Sequence, residues 1–320
     1  MDTSDQRVTI PEEAPAEVLA FNDEIAKTLS ELPAIWDVGA PLARKAREEG
    51  KGIFGEMVRS DRAETITIEG PGGNQDLRII RPENPRGVYL HLHGGGWVLG
   101  ANHHADIRNE WLADATALTV VAAQYRLAPE FPYPAAPDDC EHAALWLVDN
   151  AMAEFGTDVL AIGGESAGAH LSLVTMLRAR DRLGYCPFSA AALIYGMYDL
   201  GRLPSVRAFG DQPLILNDPV TTWFVDQFVG DRDLTDPDIS PLFADLSNLP
   251  PALFSIGTMD PLLDDSLHGY QRYVAAGNEA RLDVWPGAIH AFDYFDNDYG
   301  RMCRTSIHQF LNEHLDRAGA

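Results

Sequence analysis

The feature that most constrains the fold is the pentapeptide Gly-Glu-Ser-Ala-Gly at residues 164–168. An apolar segment, residues 157–162, precedes it and predicts a buried strand that ends at the glycines. Small and apolar residues at helical spacing follow it over 169–178. A serine in a tight strand-to-helix turn needs neighbours without bulk, because the backbone passes close to itself on both sides. The pattern therefore predicts that Oγ of Ser166 is lifted clear of a sheet, beside the first N–H groups of a helix.

The rest of the chain alternates between strand and helix patterns. A hairpin is predicted from the alternating segments 64–69 and 77–81, and a helix is predicted from 138 to about 150. Further strands are predicted at 87–93, 119–123, 190–195, 252–257 and 280–285. This alternation predicts an α/β fold with a mostly parallel central sheet flanked by helices.

Two helical segments stand outside the alternation. Residues 1–55 have apolar residues at helical spacing, with a first helix opening near Pro11 and a second one over 40–47, stopped by Gly50. Residues 199–247 contain several aromatic side chains among many aspartates and are predicted as a helical insertion over the carboxyl edge of the sheet. Together the two segments are predicted to form a helical cap.

Composition excludes several classes of partner. The chain of 320 residues has 48 acidic against 24 basic residues and a formal charge of −24, which repels nucleic acid and anionic membranes. Three scattered cysteines make no disulfide framework, and no apolar run reaches membrane-spanning length. Residues 1–6 are acidic and polar and lack the features of a signal peptide. We therefore expect a cytoplasmic protein with neither nucleic acid nor a membrane as partner.

A nucleophilic serine needs a base and a carboxylate that orients the base. Asp260 follows the predicted strand 252–257 and thus lies at the sheet edge to which the turn at Ser166 points. The alternative role, a helix-capping aspartate, suits Asp264 and Asp265 better. His290 lies in the loop after the last predicted strand, within reach of that edge. We predict that Ser166, Asp260 and His290 form a catalytic triad.

An anion-stabilising pocket is predicted from His-Gly-Gly-Gly-Trp at residues 93–97. Consecutive glycines leave backbone N–H groups free to approach a ligand, so two of them and the N–H of Ala167 could form an oxyanion hole. The alternative is an ordinary glycine turn, which the downstream serine motif disfavours.

The motifs in combination resemble the bacterial hormone-sensitive-lipase-like carboxylesterases of the α/β-hydrolase superfamily. They occupy residues 93–97, 125–130, 164–168, 260–262 and 287–292, and the resemblance spans about 60–315. It implies an α/β-hydrolase fold with a helical cap, and a serine carboxylesterase that hydrolyses short- to medium-chain acyl esters through an acyl-enzyme. It also implies no cofactor, frequent homodimers, and oxyanion donors at Gly95 and Gly96, with Gly94 as a further candidate. Glu165 departs from the Asp or Thr more usual in the family.

The resemblance divides the chain into four segments. They are 1–55 (N-terminal helical cap segment), 56–198 (first part of the catalytic domain), 199–247 (cap insertion) and 248–320 (second part of the catalytic domain). Five aromatic side chains are candidates for the substrate pocket, although each could equally belong to the core of the cap: Trp36, Trp97, Phe209, Trp223 and Phe228.

The sequence also offers a candidate metal site and two alternative functions. His103 and His104 could pair as metal ligands, but the sequence offers no evident third ligand, so no metal is predicted. The same triad would also serve a deacetylase or amide hydrolase. A third reading is a ligand-binding receptor that keeps the fold without hydrolysis, which the intact triad argues against. The preferred interpretation is an enzyme, a carboxylic ester hydrolase that acts on a small-molecule ester.

Overall fold

An eight-stranded sheet forms the centre of the computed structural model, which describes residues 7–319. In chain order the strands are β1 (Glu64–Gly70), β2 (Gly73–Ile80), β3 (Gly87–Leu92), β4 (Leu118–Ala123), β5 (Leu160–Glu165), β6 (Phe188–Ile194), β7 (Ala252–Met259) and β8 (Ala280–Ile289). Across the sheet they run β1-β2-β4-β3-β5-β6-β7-β8. The pairs β1–β2 and β2–β4 are antiparallel, and all other neighbours are parallel.

Helices occupy most of the connections between strands. They are α1 (Ala16–Ser30), α2 (Ile35–Val38), α3 (Ala40–Glu48), α4 (Asp106–Thr116), α5 (Ala135–Phe155), α6 (Ala167–Leu183), α7 (Pro204–Phe209), α8 (Asp218–Val229), α9 (Leu263–Ala275) and α10 (Asp298–Ala318). Every residue of β3, β4 and β5 is buried, as expected for parallel strands covered by helices. The predicted α/β fold with a mostly parallel sheet is confirmed.

The strand before Ser166 differs from its predicted bounds. It runs from Leu160 to Glu165, so Gly163 and Gly164 lie inside the strand and do not end it. A Cβ on Gly163 would lie under 3.0 Å from the hydroxyl of Tyr89 and the carbonyl of Ala192. The glycines are visible in the sequence, but the neighbouring atoms that leave no room for a Cβ are not.

The bounds of two helices also differ from the prediction. The first helix begins at Ala16, because Pro15, in an extended conformation, cannot lie inside a helix that starts near Pro11. Helix α5 begins at Ala135, since Pro137 is tolerated in a first turn. It ends at Phe155, where Gly156 in the left-handed conformation caps it.

The two helical segments contain the expected kind of structure. Helices α1 to α3 fall within 1–55, and α7 and α8 fall within 199–247. Residues 1–6, on which the expectation of no signal peptide rested, lie outside the described residues. Among residues 7–319, no helix combines the length and the apolar character that crossing a membrane requires.

Candidate active site

Ser166 occupies a strained turn at the carboxyl end of β5. Its φ of 57° and ψ of −120° are unusual for a residue with a side chain, and such strain is concentrated at functional sites. A Cβ on Gly164 or on Gly168 would lie under 3.0 Å from the carbonyl oxygen of Leu92. The turn is therefore possible only because glycine stands on both sides of Ser166.

The structure brings together the three predicted catalytic side chains. Nδ1–H of His290 donates to Oδ2 of Asp260 at 2.7 Å, which leaves Nε2 to accept from Oγ–H of Ser166 at 2.9 Å. Asp260 directly follows β7 and His290 directly follows β8, so adjacent parallel strands deliver both residues to one edge. The arrangement has the geometry required for a base to remove a proton from a serine hydroxyl.

The surroundings hold this hydrogen-bonded chain in place. The backbone N–H of Leu262 donates to Oδ1 of Asp260 at 2.9 Å, and both Asp260 and His290 are buried. The ring of Tyr195 packs edge-on against the imidazole of His290 at a centroid distance of 4.8 Å. Each carboxylate oxygen of Asp260 thus has a donor, and the imidazole is fixed on its face.

The glycine motif forms a loop beside Ser166 with positive φ at Gly95 (126°) and Gly96 (59°). Among the described residues, the backbone N–H groups of Gly95, Gly96 and Ala167 donate to no protein acceptor. The N–H of Gly94 instead points at Oε1 of Glu165, 3.4 Å away. Of the three predicted glycines, Gly95 and Gly96 are therefore the ones with free donors.

Glu165 organises a buried network that the sequence analysis did not foresee. Its carboxylate accepts from Nε2 of His91 at 2.9 Å and from the hydroxyl of Tyr294 at 2.5 Å, and Nη2 of Arg108 lies 3.5 Å away. Burial acts to raise the pKa of Glu165, but His91 and Arg108 outweigh burial and hold it well below its usual range. The ionised carboxylate therefore joins β3, the glycine loop (through Gly94) and the segment after His290.

A cavity of about 460 Å³ lies over Ser166 and His290. Both helical segments line it, through residues 29–36 and residues 211–224, and most of the lining side chains are apolar. Volume and lining are those of a small-molecule site. A Cβ on Gly96 would lie under 3.0 Å from the ring of Phe224, so this ring rests directly on the glycine loop.

The five predicted pocket aromatics separate into two groups. Trp36 and Trp97 line the cavity, whereas Phe209, Trp223 and Phe228 are not among its lining residues. Phe228 is fully buried and stacks on Trp97 at 4.7 Å, so it supports the glycine loop from behind. The aromatic side chain of α8 that lines the cavity is Phe224, one position beyond Trp223, because consecutive side chains of a helix point about 100° apart.

His103 and His104, considered above as metal ligands, lie outside the cavity lining. Both face Glu48 at the end of α3, a third side chain that is 55 residues or more away in the sequence. Hydrogen bonding to His104 lowers the pKa of Glu48 to about 2, and burial lowers the pKa of His104 to about 4.

Comparison with known proteins agrees with this fold and geometry. A family described by the α/β-hydrolase fold matches residues 89–294. The chain is 34% identical over 265 residues to carboxylic ester hydrolase LipN of Mycobacterium tuberculosis, covering 79% of this chain and 70% of that protein. It is 36% identical over 226 residues to carboxylesterase NlhH of the same organism, covering 68% of this chain and 69% of that protein.

A solved structure extends the agreement. The esterase of the archaeon Pyrobaculum calidifontis superposes with a TM-score of 0.85 at 32% identity, over 94% of this chain and 98% of that one. These findings define the class, an enzyme of the carboxylic ester hydrolases with the α/β-hydrolase fold. Within that class, the chain belongs to the hormone-sensitive-lipase-like family, as the sequence predicted.

Proposed function

We propose that this protein is a serine carboxylesterase that uses Ser166, His290 and Asp260 as its catalytic triad. The observation that supports this most directly is the pair of hydrogen bonds, 2.9 Å and 2.7 Å, that joins the three side chains beside the cavity. The serine is oriented by the strained elbow, and the histidine is oriented by a buried carboxylate.

In the acylation step, Nε2 of His290 removes the proton of Ser166 as Oγ attacks the ester carbonyl carbon. The N–H groups of Gly95, Gly96 and Ala167 bind the carbonyl oxygen as it becomes negative. The positive end of the α6 dipole further stabilises this negative charge. His290 then gives the proton to the departing alcohol oxygen. Asp260 holds the imidazole tautomer and offsets its positive charge while it is protonated.

In the deacylation step, water is the nucleophile and Oγ of Ser166 is the leaving group. A water molecule takes the place of the alcohol, and Nε2 of His290 removes its proton while the water oxygen attacks the acyl carbon of Ser166. The same N–H groups stabilise the second tetrahedral intermediate. Its collapse returns the proton to Oγ of Ser166 and releases the carboxylic acid, so no cofactor takes part in the cycle.

We propose short- to medium-chain acyl esters as substrates, because the cavity holds about 460 Å³ and its walls are largely apolar. We also propose that residues 1–55 and 199–247 act as a cap over a catalytic domain made of 56–198 and 248–320. Lining of the cavity by residues of both helical segments supports this division.

The test is hydrolysis of p-nitrophenyl esters from acetate to palmitate. We expect maximal kcat/KM at short to medium chains and loss of turnover in Ser166→Ala. Asp260→Asn should lower kcat by roughly 10⁴-fold, because the imidazole then adopts the wrong tautomer. The matched control is Asp264→Asn, which changes a nearby carboxylate that bonds instead to the N–H of Ser205 and should leave kcat unchanged.

The same assay separates the alternatives. Turnover of p-nitroanilides with no turnover of esters would favour an amide hydrolase, and tight ligand binding without any turnover would favour a receptor. A homodimer and a cytoplasmic location remain proposals, which sedimentation of the purified protein and fractionation of the source cells would test.

A further inference from the structure

Three side chains of types that can bind a metal ion lie close together outside the active site. Glu48 ends α3, and His103 and His104 precede α4 in the loop after the glycine motif. Nε2 of His104 lies 2.9 Å from Oε2 of Glu48, and Nε2 of His103 lies 3.0 Å from the same oxygen. The two imidazole rings are nearly perpendicular, at a centroid distance of 4.6 Å, so both nitrogens converge on one carboxylate.

We propose that Glu48, His103 and His104 bind a divalent transition-metal ion, with Zn²⁺ as the ion that their chemistry fits best. Two imidazoles and one carboxylate are a known ligand set for zinc with one open coordination position. Imidazole nitrogen suits Zn²⁺ and its transition-metal neighbours, whereas Mg²⁺ and Ca²⁺ prefer sites made only of oxygen.

The distances agree with this ligand set. Around a tetrahedral zinc ion with bonds of roughly 2.0–2.1 Å, neighbouring ligand atoms are about 3.3 Å apart. The nitrogen-to-oxygen distances of 2.9 Å and 3.0 Å require only a few tenths of an ångström of expansion, and all three ligand atoms lie within 4.8 Å of one another. Admitting an ion therefore requires little change in the two nitrogen-to-oxygen distances.

A cationic group already occupies part of this site. Nη2 of Arg59 lies 2.6 Å from Oε1 of Glu48 and 3.2 Å from Nε2 of His103. A metal ion and this guanidinium cannot share the same ligand atoms, so binding must displace Arg59. The arginine side chain is 59% exposed and can move into water. Arg59 is thus a built-in competitor, and its removal should strengthen metal binding.

The surroundings of His104 limit the affinity. A histidine that binds a metal through Nε2 carries its proton on Nδ1, and that proton normally has an acceptor. Nδ1 of His104 is buried and has no hydrogen-bond partner among the described residues. Loss of such an outer partner typically costs 10–100-fold in affinity. We therefore expect an ion that a chelator can remove, which distinguishes this site from a permanent structural zinc.

A bound ion would link the N-terminal helical segment to the catalytic domain. Glu48 belongs to α3, and the two histidines belong to the loop that continues from the glycine motif. A direct contact already joins the same parts, since Arg44 of α3 donates to the carbonyl of Val98 at 2.7 Å. The ion would add a second attachment, one that depends on metal concentration, and the melting temperature should rise with free Zn²⁺ and fall again with EDTA.

The experiment is isothermal titration of the untagged, full-length protein with ZnCl₂, with MgCl₂ as the comparison ion. We expect one equivalent of Zn²⁺, no Mg²⁺, and loss of Zn²⁺ binding in Glu48→Gln and in His103→Asn. Retained hydrolysis of p-nitrophenyl butyrate would show that both variants are folded. Two control variants should bind as the wild type does: Glu49→Gln, a neighbouring exposed carboxylate, and His268→Asn, an exposed histidine elsewhere.

Arg59→Gln makes the test sharper, because its effect has the opposite sign. If the ion occupies the position of the guanidinium, this variant binds Zn²⁺ several-fold more tightly than the wild type. The proposal is overturned if the wild type binds no Zn²⁺, if binding survives in Glu48→Gln, or if Arg59→Gln fails to tighten it. None of these results bears on the esterase proposal, because none of these residues lines the cavity.

Discussion

Replacement of Glu165 by Gln removes a buried negative charge next to Ser166 while keeping the size of the side chain. In the wild type this carboxylate receives hydrogen bonds from His91 and Tyr294 and lies 3.5 Å from Arg108. The remaining carboxylate near Arg108 is Asp293, also at 3.5 Å. The variant therefore leaves a buried guanidinium with half of its counter-charge.

Breaking a buried ion pair by removing one partner typically costs about 3–5 kcal/mol. The Gln side chain keeps one oxygen that can accept from Tyr294, so we expect a loss near the lower end, about 3 kcal/mol of unfolding free energy at pH 7. Because the pKa of Glu165 is depressed, this stabilisation is complete above the ordinary glutamate pKa of about 4.3. It should be lost progressively as the pH falls below that value.

The assay is urea unfolding of the wild type and the variant, at pH 7 and at pH 4. Tyr294→Phe is the control, since it removes a single hydrogen bond to the carboxylate and should cost about 1.5 kcal/mol. We also expect kcat of Glu165→Gln to fall on the order of tenfold, because the carboxylate no longer fixes the N–H of Gly94 and the glycine loop shifts.

A double-mutant cycle tests the same reasoning independently. Arg108→Met removes the charge that Glu165→Gln leaves uncompensated, so the double variant should be less destabilised than the sum of the two single variants. An unfolding free energy of Glu165→Gln within about 0.5 kcal/mol of the wild type, or strictly additive single effects, would refute the view that an ionised carboxylate holds this network together.

Two further predictions concern the loop and a buried acid. Gly96→Ala places a Cβ against the ring of Phe224 at a φ of 59° and should lower kcat by roughly 10²–10³-fold, because it moves the proposed oxyanion donor. The double variant Gly96→Ala/Phe224→Ala should recover part of the lost kcat. An unchanged kcat in the single variant would exclude the role of this N–H. Burial raises the pKa of Asp265 to about 8, so the folded protein binds this proton more tightly than the unfolded chain, and stability should decline from about pH 4 to pH 8. Asp265→Asn should lack that part of the decline in urea unfolding at pH 5 and pH 8, and parallel losses in both proteins would contradict the assignment.

Local sequence patterns were sufficient for the parts of the fold that depend on neighbouring residues. Alternation in β1 and β2 predicted their hairpin, and apolar runs predicted the buried parallel strands, because period and burial are written in each segment itself. The grouping of Asp260 and His290 near Ser166 could be predicted from chain order, since each comes directly after a strand of one parallel sheet.

Contacts between distant segments could not be predicted in the same way. Nothing near His103 indicates that Glu48 faces it, and nothing near Glu165 indicates Arg108 and Tyr294 as partners. The choice of Phe224 over Trp223 depends on how α8 is rotated over the glycine loop. Such features depend on tertiary packing, which periodicity does not contain.

The measurement that tests the central claim most directly is covalent labelling with diethyl p-nitrophenyl phosphate, followed by mass spectrometry of the digested protein. A serine activated by His290 attacks the phosphorus and releases p-nitrophenol, so a diethylphosphoryl group should appear on Ser166 in proportion to the loss of esterase activity. The Ser166→Ala variant should remain unlabelled. A label on another residue that accounts for inactivation, or full activity after complete labelling of Ser166, would contradict the assignment of Ser166 as the nucleophile.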